Sequence, residues 1–244
     1  MRILFVLLST IILPILTACE ISGNEQKTSI FYSPHADDEV LSLGPSILHH
    51  RERGDRVVVV LLSEGKASGA FHKVNEKLEE KGLPTITRDE FGASRVSEFK
   101  KSVEALGVKP DDVFVYQLPD GDIQKEDVKK IMKEMNERFP SVTNHALSYL
   151  DPHHDHAASG YALKELMEEE KNITGLFYIP VQEHKNIDSE GSYKVPERYK
   201  EDFANSLNAY KIWNPDNGFY AIGNTSVRPY FNSVAKLKES RWHK

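Results

Sequence analysis

The chain carries a single cysteine, Cys19, close to its N-terminus. An intrachain disulfide is therefore impossible, and neither a thiolate zinc site nor a cysteine nucleophile can belong to the folded part of the protein. Positive charge is in short supply as well. The formal net charge is -6 and no Lys/Arg stripe runs along the sequence, which argues against a nucleic-acid footprint. No G-x-G-x-x-G follows the first β-prone run, which disfavours a dinucleotide oxidoreductase. Val113-Phe114-Val115-Tyr116 is not followed by the aspartate that a phosphoacceptor would need, which disfavours a receiver-like switch. The one long apolar run, Ile3 to Leu16, is too short to be a convincing spanning helix.

That run has another reading. Arg2 precedes it, Thr17 and Ala18 are small, and Cys19 follows at once. Leu16-Thr17-Ala18-Cys19 resembles the bacterial lipobox, whose cysteine is lipidated and becomes the first mature residue. The expected organisation is a lipoprotein signal peptide over 1–18, a polar tether over 19–27 and a single domain over 28–244. Such a protein is held on the extracytoplasmic face of the cell membrane through lipidated Cys19.

Hydrophobic periodicity predicts the elements that follow. Ile30 to Ser33 reads as the first core strand, and Asp38 or Glu39 can start a helix carrying Val40, Leu41, Leu43, Ile47 and Leu48. Gly44-Pro45 is expected to kink that helix, with His49 and His50 as solvated last-turn residues. Val57 to Leu62 is continuously apolar and largely β-branched, the pattern of a strand covered on both faces and hence of a parallel sheet. Ser63 to Thr87 is polar with several glycines, and a mobile flap over a site is expected there. Arg88 to Leu106 reads as a helix, Val113 to Tyr116 as a strand, Glu126 to Phe139 as an amphipathic helix, and His145 to Leu150 as a strand. A helix over Ala157 to Glu170 and a strand within Gly175 to Pro180 complete the alternation. It predicts an α/β fold, a Rossmann-like three-layer sandwich with a mainly parallel sheet. Beyond Val181 the pattern loosens. Phe203 to Trp213 reads as a helix and the aromatic-rich Gly218 to Tyr230 as a hairpin or edge strand. His72, His184 and His243 are expected at the surface.

Two clusters carry the chemistry. Pro34-His35-Ala36-Asp37-Asp38-Glu39 ends the first strand, and His153-His154-Asp155-His156 follows the fourth. In the commonest doubly wound order these strands are neighbours at the topological switch point, where ligands bind. Two imidazoles and one carboxylate leave an open position on a divalent metal, as a catalytic zinc requires. A carboxylate beside the metal can then take a proton from water.

His35-Ala36-Asp37-Asp38-Glu39 is similar to the His-Pro-Asp-Asp-Glu motif of the PIG-L/LmbE-like deacetylases, and His153-His154-Asp155-His156 to their later His-Pro-Asp-His motif. The likeness runs from about Ile30 to Tyr230. It implies a zinc-dependent hydrolase, with another divalent metal as the alternative, that removes an N-acetyl group from an N-acetylglucosaminyl or related amino-sugar substrate. It implies His35, Asp38 and His156 as metal ligands and Asp37 as general base. It implies that His153 stabilises the oxyanion or protonates the leaving amine, with Asp155 orienting it. Arg95 resembles the family arginine that holds substrate, while Glu98 and Asp120 look structural. Ala36 and His154 replace family prolines, and His154 offers a competing imidazole. Asp151 stands where some members carry a tyrosine. The alternative from the same residues is a non-catalytic metal-binding or substrate-capture lipoprotein, which has no need of Asp37.

Overall fold

The computed structural model describes residues 26–244. The signal segment, Cys19 and the tether as far as Glu25 lie outside the described residues. The first half of the chain alternates β1 (Thr28–Ser33), α1 (Asp38–Leu41), α2 (Gly44–Glu52), β2 (Arg56–Leu61), α3 (Ala70–Glu80), α4 (Arg88–Ala105) and β3 (Val113–Val115). There follow α5 (Lys125–Arg138), β4 (Val142–Leu147), α6 (His154–Glu169) and β5 (Gly175–Ile179). The last part holds β6 (Gly191–Lys194), α7 (Lys200–Ala209), the short pair β7 (Trp213–Asn214) and β8 (Phe219–Tyr220), α8 (Ile222–Leu237) and β9 (Glu239–His243).

The main sheet has seven strands in the order β3-β2-β1-β4-β5-β9-β6. β1 to β5 run parallel, and β9 is antiparallel to both β5 and β6. Successive side chains of a strand point to opposite faces, and the core divides accordingly. Ile30 and Tyr32 of β1 with Val58 and Val60 of β2 pack under α5 and α6. Phe31 and Val59 face the other way, against Ile47, Phe99, Phe203 and Phe231 from α2, α4, α7 and α8. A sheet between two helical layers results, as the uniform apolarity of Val57 to Leu62 requires. Among the described residues no helix is long and apolar enough to cross a membrane.

Several expectations are corrected. Gly44-Pro45 does more than kink one helix: α1 ends at Leu41 and α2 begins at Gly44. His50 is buried, not solvated, because its Nδ1 lies 2.7 Å from Asp55 Oδ2 and 2.8 Å from Ser29 Oγ. His243 is buried too, 2.7 Å from Ser148 Oγ, since β9 enters the sheet beside β5. The polar stretch over 63–87 is no bare flap. Ala70, Val74 and Leu78 recur at helical spacing along α3 and pack with Phe91, Tyr220 and Ile222 in a small core of their own. Gly218 to Tyr230 gives only the two-residue β8 before α8 begins, because Ile222, Phe231 and Val234 bury one helical stripe.

Candidate active site

β1 and β4 are hydrogen-bonded neighbours, with Phe31 opposite His145. The two clusters therefore leave the sheet side by side at its carboxyl edge. Asp38 Oδ2 is the meeting point: His35 Nδ1 and His156 Nε2 each lie 3.3 Å from it. The backbone N–H of His35 also donates to this oxygen at 3.0 Å. All three side chains are buried. His153 joins them, with its ring stacked on His156 at 4.4 Å and 5.1 Å from that of His35. One nitrogen from each of His35, His153 and His156 falls within 4.8 Å of the others.

The remaining nitrogen of each buried imidazole is held from behind by carboxylates. His35 Nε2 is 2.9 Å from Asp155 Oδ2 and 3.3 Å from Asp120 Oδ1. His156 Nδ1 is 2.9 Å from Asp151 Oδ2. A carboxylate behind an imidazole fixes its tautomer and turns the opposite lone pair forward, as in histidine metal sites. The forward-facing acceptors, two imidazole nitrogens and the Asp38 oxygen, then need a positive charge between them. Their proton affinities show the same need. Burial disfavours charge on His35, yet Asp120, Asp155 and Asp38 outweigh it and hold its pKa well above the ordinary value. Burial likewise lowers the pKa of His156, but Asp38 and Asp151 push it up to about 9. Burial raises that of Asp38, and the two imidazoles bring it far below the usual carboxylate range. The donor set fits a divalent cation.

Asp37 stands beside this point in a backbone conformation that L-residues avoid, φ 126° and ψ -27°. Such strain costs roughly 1–3 kcal/mol and persists only where surrounding structure enforces it. Glu39 supplies the enforcement. Its Oε2 accepts the Asp37 N–H at 2.9 Å, while its Oε1 accepts Ser102 Oγ–H at 2.6 Å and Tyr210 O–H at 2.7 Å. Burial raises the Asp37 pKa more than Arg95 lowers it, leaving it at about 7. Arg95 is buried, donates from Nη2 to the Ala36 carbonyl at 2.9 Å, and brings the same nitrogen 3.9 Å from Asp37 Oδ2. It braces the Asp37 loop and lines the cleft as well. Gly65, at φ +71°, permits this: a Cβ there would stand 2.4 Å from Arg95 Nε.

Asp155 corrects an expectation. It does not bond His153; it receives His35 together with the N–H groups of Gly121, at 2.8 Å, and Ile123, at 3.1 Å. Buried in the first turn of α6, its carboxylate points toward β1, while His153 is exposed. His154 is exposed too and is not among the imidazoles that converge. Glu98 accepts the N–H groups of Ile222 and Gly223 at the start of α8, at 2.7 and 3.0 Å. Sequence reasoning missed Asp151 as the partner of His156, although an acid five residues before a helix-borne histidine is a visible signal. It also missed Gln182, Ser226 and Tyr230, which line the cleft from the C-terminal part of the chain, where no local pattern marks them. The cleft holds about 310 Å³ and opens over His35, Asp37, Asp38, His153 and His156.

Comparison with known proteins agrees with the geometry. The PIG-L family, described as GlcNAc-PI de-N-acetylase, matches residues 30–167, more than half of the chain. No curated relative matches the sequence. Among solved structures, the chain is similar to a deacetylase triple mutant of the teicoplanin biosynthetic pathway: TM-score 0.67, 15% identity, covering 89% of this chain and 97% of that one. It is similar also to the N,N'-diacetylchitobiose deacetylase of Pyrococcus horikoshii: TM-score 0.62, 15% identity, with 90% and 84% covered. A third similar structure is GalB, the 4-carboxy-2-hydroxymuconate hydratase of Pseudomonas putida: TM-score 0.59, 16% identity, with 89% and 95% covered. At these identities the likeness shows the fold, and a hydratase among the three means that the reaction must be argued from the residues.

Proposed function

We propose a function from the premise that this chain belongs to the PIG-L family, the GlcNAc-PI de-N-acetylases: it is a zinc-dependent N-deacetylase acting on an N-acetylglucosaminyl or related amino-sugar substrate. The observation that carries the reading is the convergence of His35 Nδ1 and His156 Nε2 on Asp38 Oδ2, with strained Asp37 alongside. His35, Asp38 and His156 would hold the metal. Two nitrogens and one carboxylate suit zinc better than magnesium, which prefers oxygen ligands.

Zinc in such a site supplies a Lewis acid and lowers the pKa of water. Asp37, with a pKa of about 7, is matched to take a proton from water near neutral pH and to return it to the departing amine. Arg95 keeps the Asp37 loop in place through the Ala36 carbonyl. Burial, followed by the neighbouring His156 and His35, lowers the pKa of His153. It is therefore a neutral ring at neutral pH, whose N–H can donate to the acyl oxygen as charge develops there. Asp120, Asp151 and Asp155 keep the two buried imidazoles aimed. A protein that only captured metal would have no use for the strain at Asp37.

The same proposal places the protein on the extracytoplasmic face of a bacterial membrane through lipidated Cys19, supported by the Leu16-Thr17-Ala18-Cys19 motif. The test is acetate release from N-acetylglucosaminides by the metal-loaded protein, with Asp37→Asn as control. Metal bound but no acetate from any such compound would refute the deacetylase reading.

A further inference from the structure

The tether and the cleft lie at opposite ends of the sheet. His35 to Asp38 follow the carboxyl end of β1, Asp120 lies beyond β3, Asp151 to His156 beyond β4 and Gln182 beyond β5. The chain enters at the other end and is fastened there. The Gln26 side chain donates to the Gly54 carbonyl at 3.0 Å, Arg56 N–H to the Lys27 carbonyl at 2.8 Å, and Thr28 N–H to the Ser141 carbonyl at 3.1 Å.

We infer that the cleft opens away from the bilayer that holds the chain, so that its substrate is a water-borne glycan and not the headgroup of a lipid in the same leaflet. This rests on the lipid-anchored deacetylase reading above and narrows it. The six residues of β1, at about 3.3 Å each, set the cleft roughly 20 Å from the point where the tether enters. β1 is the third of the seven strands and is covered by helices on both faces. A chain leaving the sheet must first travel sideways past a helical layer, about 15 Å, before it can turn toward the cleft rim. The whole detour is therefore about 35 Å. From Cys19 to Gln26 the fully extended chain spans at most about 25 Å. The anchor cannot reach round to the cleft side, so a sugar presented at the surface of the anchoring bilayer stays out of reach.

The experiment uses the full lipidated chain in phosphatidylcholine/phosphatidylglycerol vesicles. Single cysteines at Lys109→Cys, beside the tether entry, and Leu150→Cys, at the cleft end, carry a donor dye, and headgroup-labelled lipid is the acceptor. Both positions are exposed. Strong transfer from position 109 and weak transfer from position 150 are expected. Activity is read on a soluble N-acetylglucosaminide and on the same sugar attached to a lipid of the same vesicle. The soluble compound is expected to turn over as it does with detergent-solubilised protein, and the lipid-borne one at least roughly tenfold more slowly. About 20 Gly/Ser residues inserted after Gly23 should recover that tenfold without changing soluble turnover. Equal transfer from the two positions, or rapid turnover of the lipid-borne sugar with the native tether, overturns the inference. Failure to float with vesicles overturns it too, while soluble turnover still upholds the deacetylase reading. With neither sugar cleaved but the label distances as expected, the orientation stands and the deacetylase reading falls.

Discussion

Asp151→Asn isolates the contribution of a residue behind the site that touches neither cleft nor substrate. Asp151 is 5% exposed; one oxygen lies 2.9 Å from His156 Nδ1 and the other accepts the His153 N–H at 2.7 Å. Asparagine has one acceptor oxygen for these two donors. If it keeps His153 N–H, its amide faces His156 Nδ1, and the ring loses its anionic partner or adopts the other tautomer. Losing a charge-assisted hydrogen bond of this kind costs about 1.5–3 kcal/mol. Removal of carboxylates behind metal-binding histidines typically lowers metal affinity by about 10- to 100-fold, or roughly 1.4–2.7 kcal/mol. The two routes agree, so zinc affinity should fall by about that factor, measured by competition against a chromophoric chelator at fixed pH. Because the backbone N–H of His153 can keep its acceptor, the melting temperature of the metal-free protein should move far less. Zinc affinity within about twofold of the parent would refute the reasoning, since His156 would then not be aimed by Asp151.

Asp37→Asn should lower kcat by about 10²- to 10⁴-fold while zinc binding persists, checked by metal analysis of the same sample; loss of the metal as well would make Asp37 a ligand. Gly160→Ala should destabilise the protein by about 3 kcal/mol in denaturant titration, because the new Cβ would stand 2.3 Å from Tyr149 N and 2.6 Å from Leu147 O, both backbone atoms. Gln182→Ala and Tyr230→Phe should each lower kcat/KM by about 2- to 10-fold, mainly through KM, if these cleft-lining groups bond substrate hydroxyls. Glu98 tests a pH dependence of stability. Burial raises its pKa to about 7 against the two N–H groups of α8 that lower it. The folded state then holds a proton that the unfolded chain releases near pH 4.5, so this contribution is complete below that pH and is lost as pH rises to about 7. Glu98→Gln should remove a decline of about 3 kcal/mol across that window, read as the difference between variant and parent in unfolding free energy. Parallel profiles would sink the assignment.

Much of the site could be read before any coordinates, because it is built from contiguous motifs at strand ends. Counting strands placed the first cluster on β1 and the second on β4, and their adjacency follows from the usual order of a doubly wound sheet. The β-branched run at Val57 to Leu62 marked a strand covered on both faces, since only burial on both sides tolerates it. These features are local: a short window of sequence holds the residues and their spacing, and backbone stereochemistry does the rest.

What sits behind and opposite those motifs was settled only by folding. Asp155 looks in sequence like a neighbour of His153, yet the first turn of α6 points it at His35, across more than a hundred residues of chain. Glu39 holds Asp37 in its strained conformation only because Ser102 and Tyr210, from α4 and the end of α7, arrive at the same carboxylate. His50 and His243 read as surface residues and are buried, because each found a partner on a segment that sequence spacing does not bring near. The wall made by Gln182, Ser226 and Tyr230 has no periodicity to announce it. Motif residues are specified by covalent neighbours and local geometry, whereas partners and cleft walls are chosen by packing between distant segments, which no window of sequence contains.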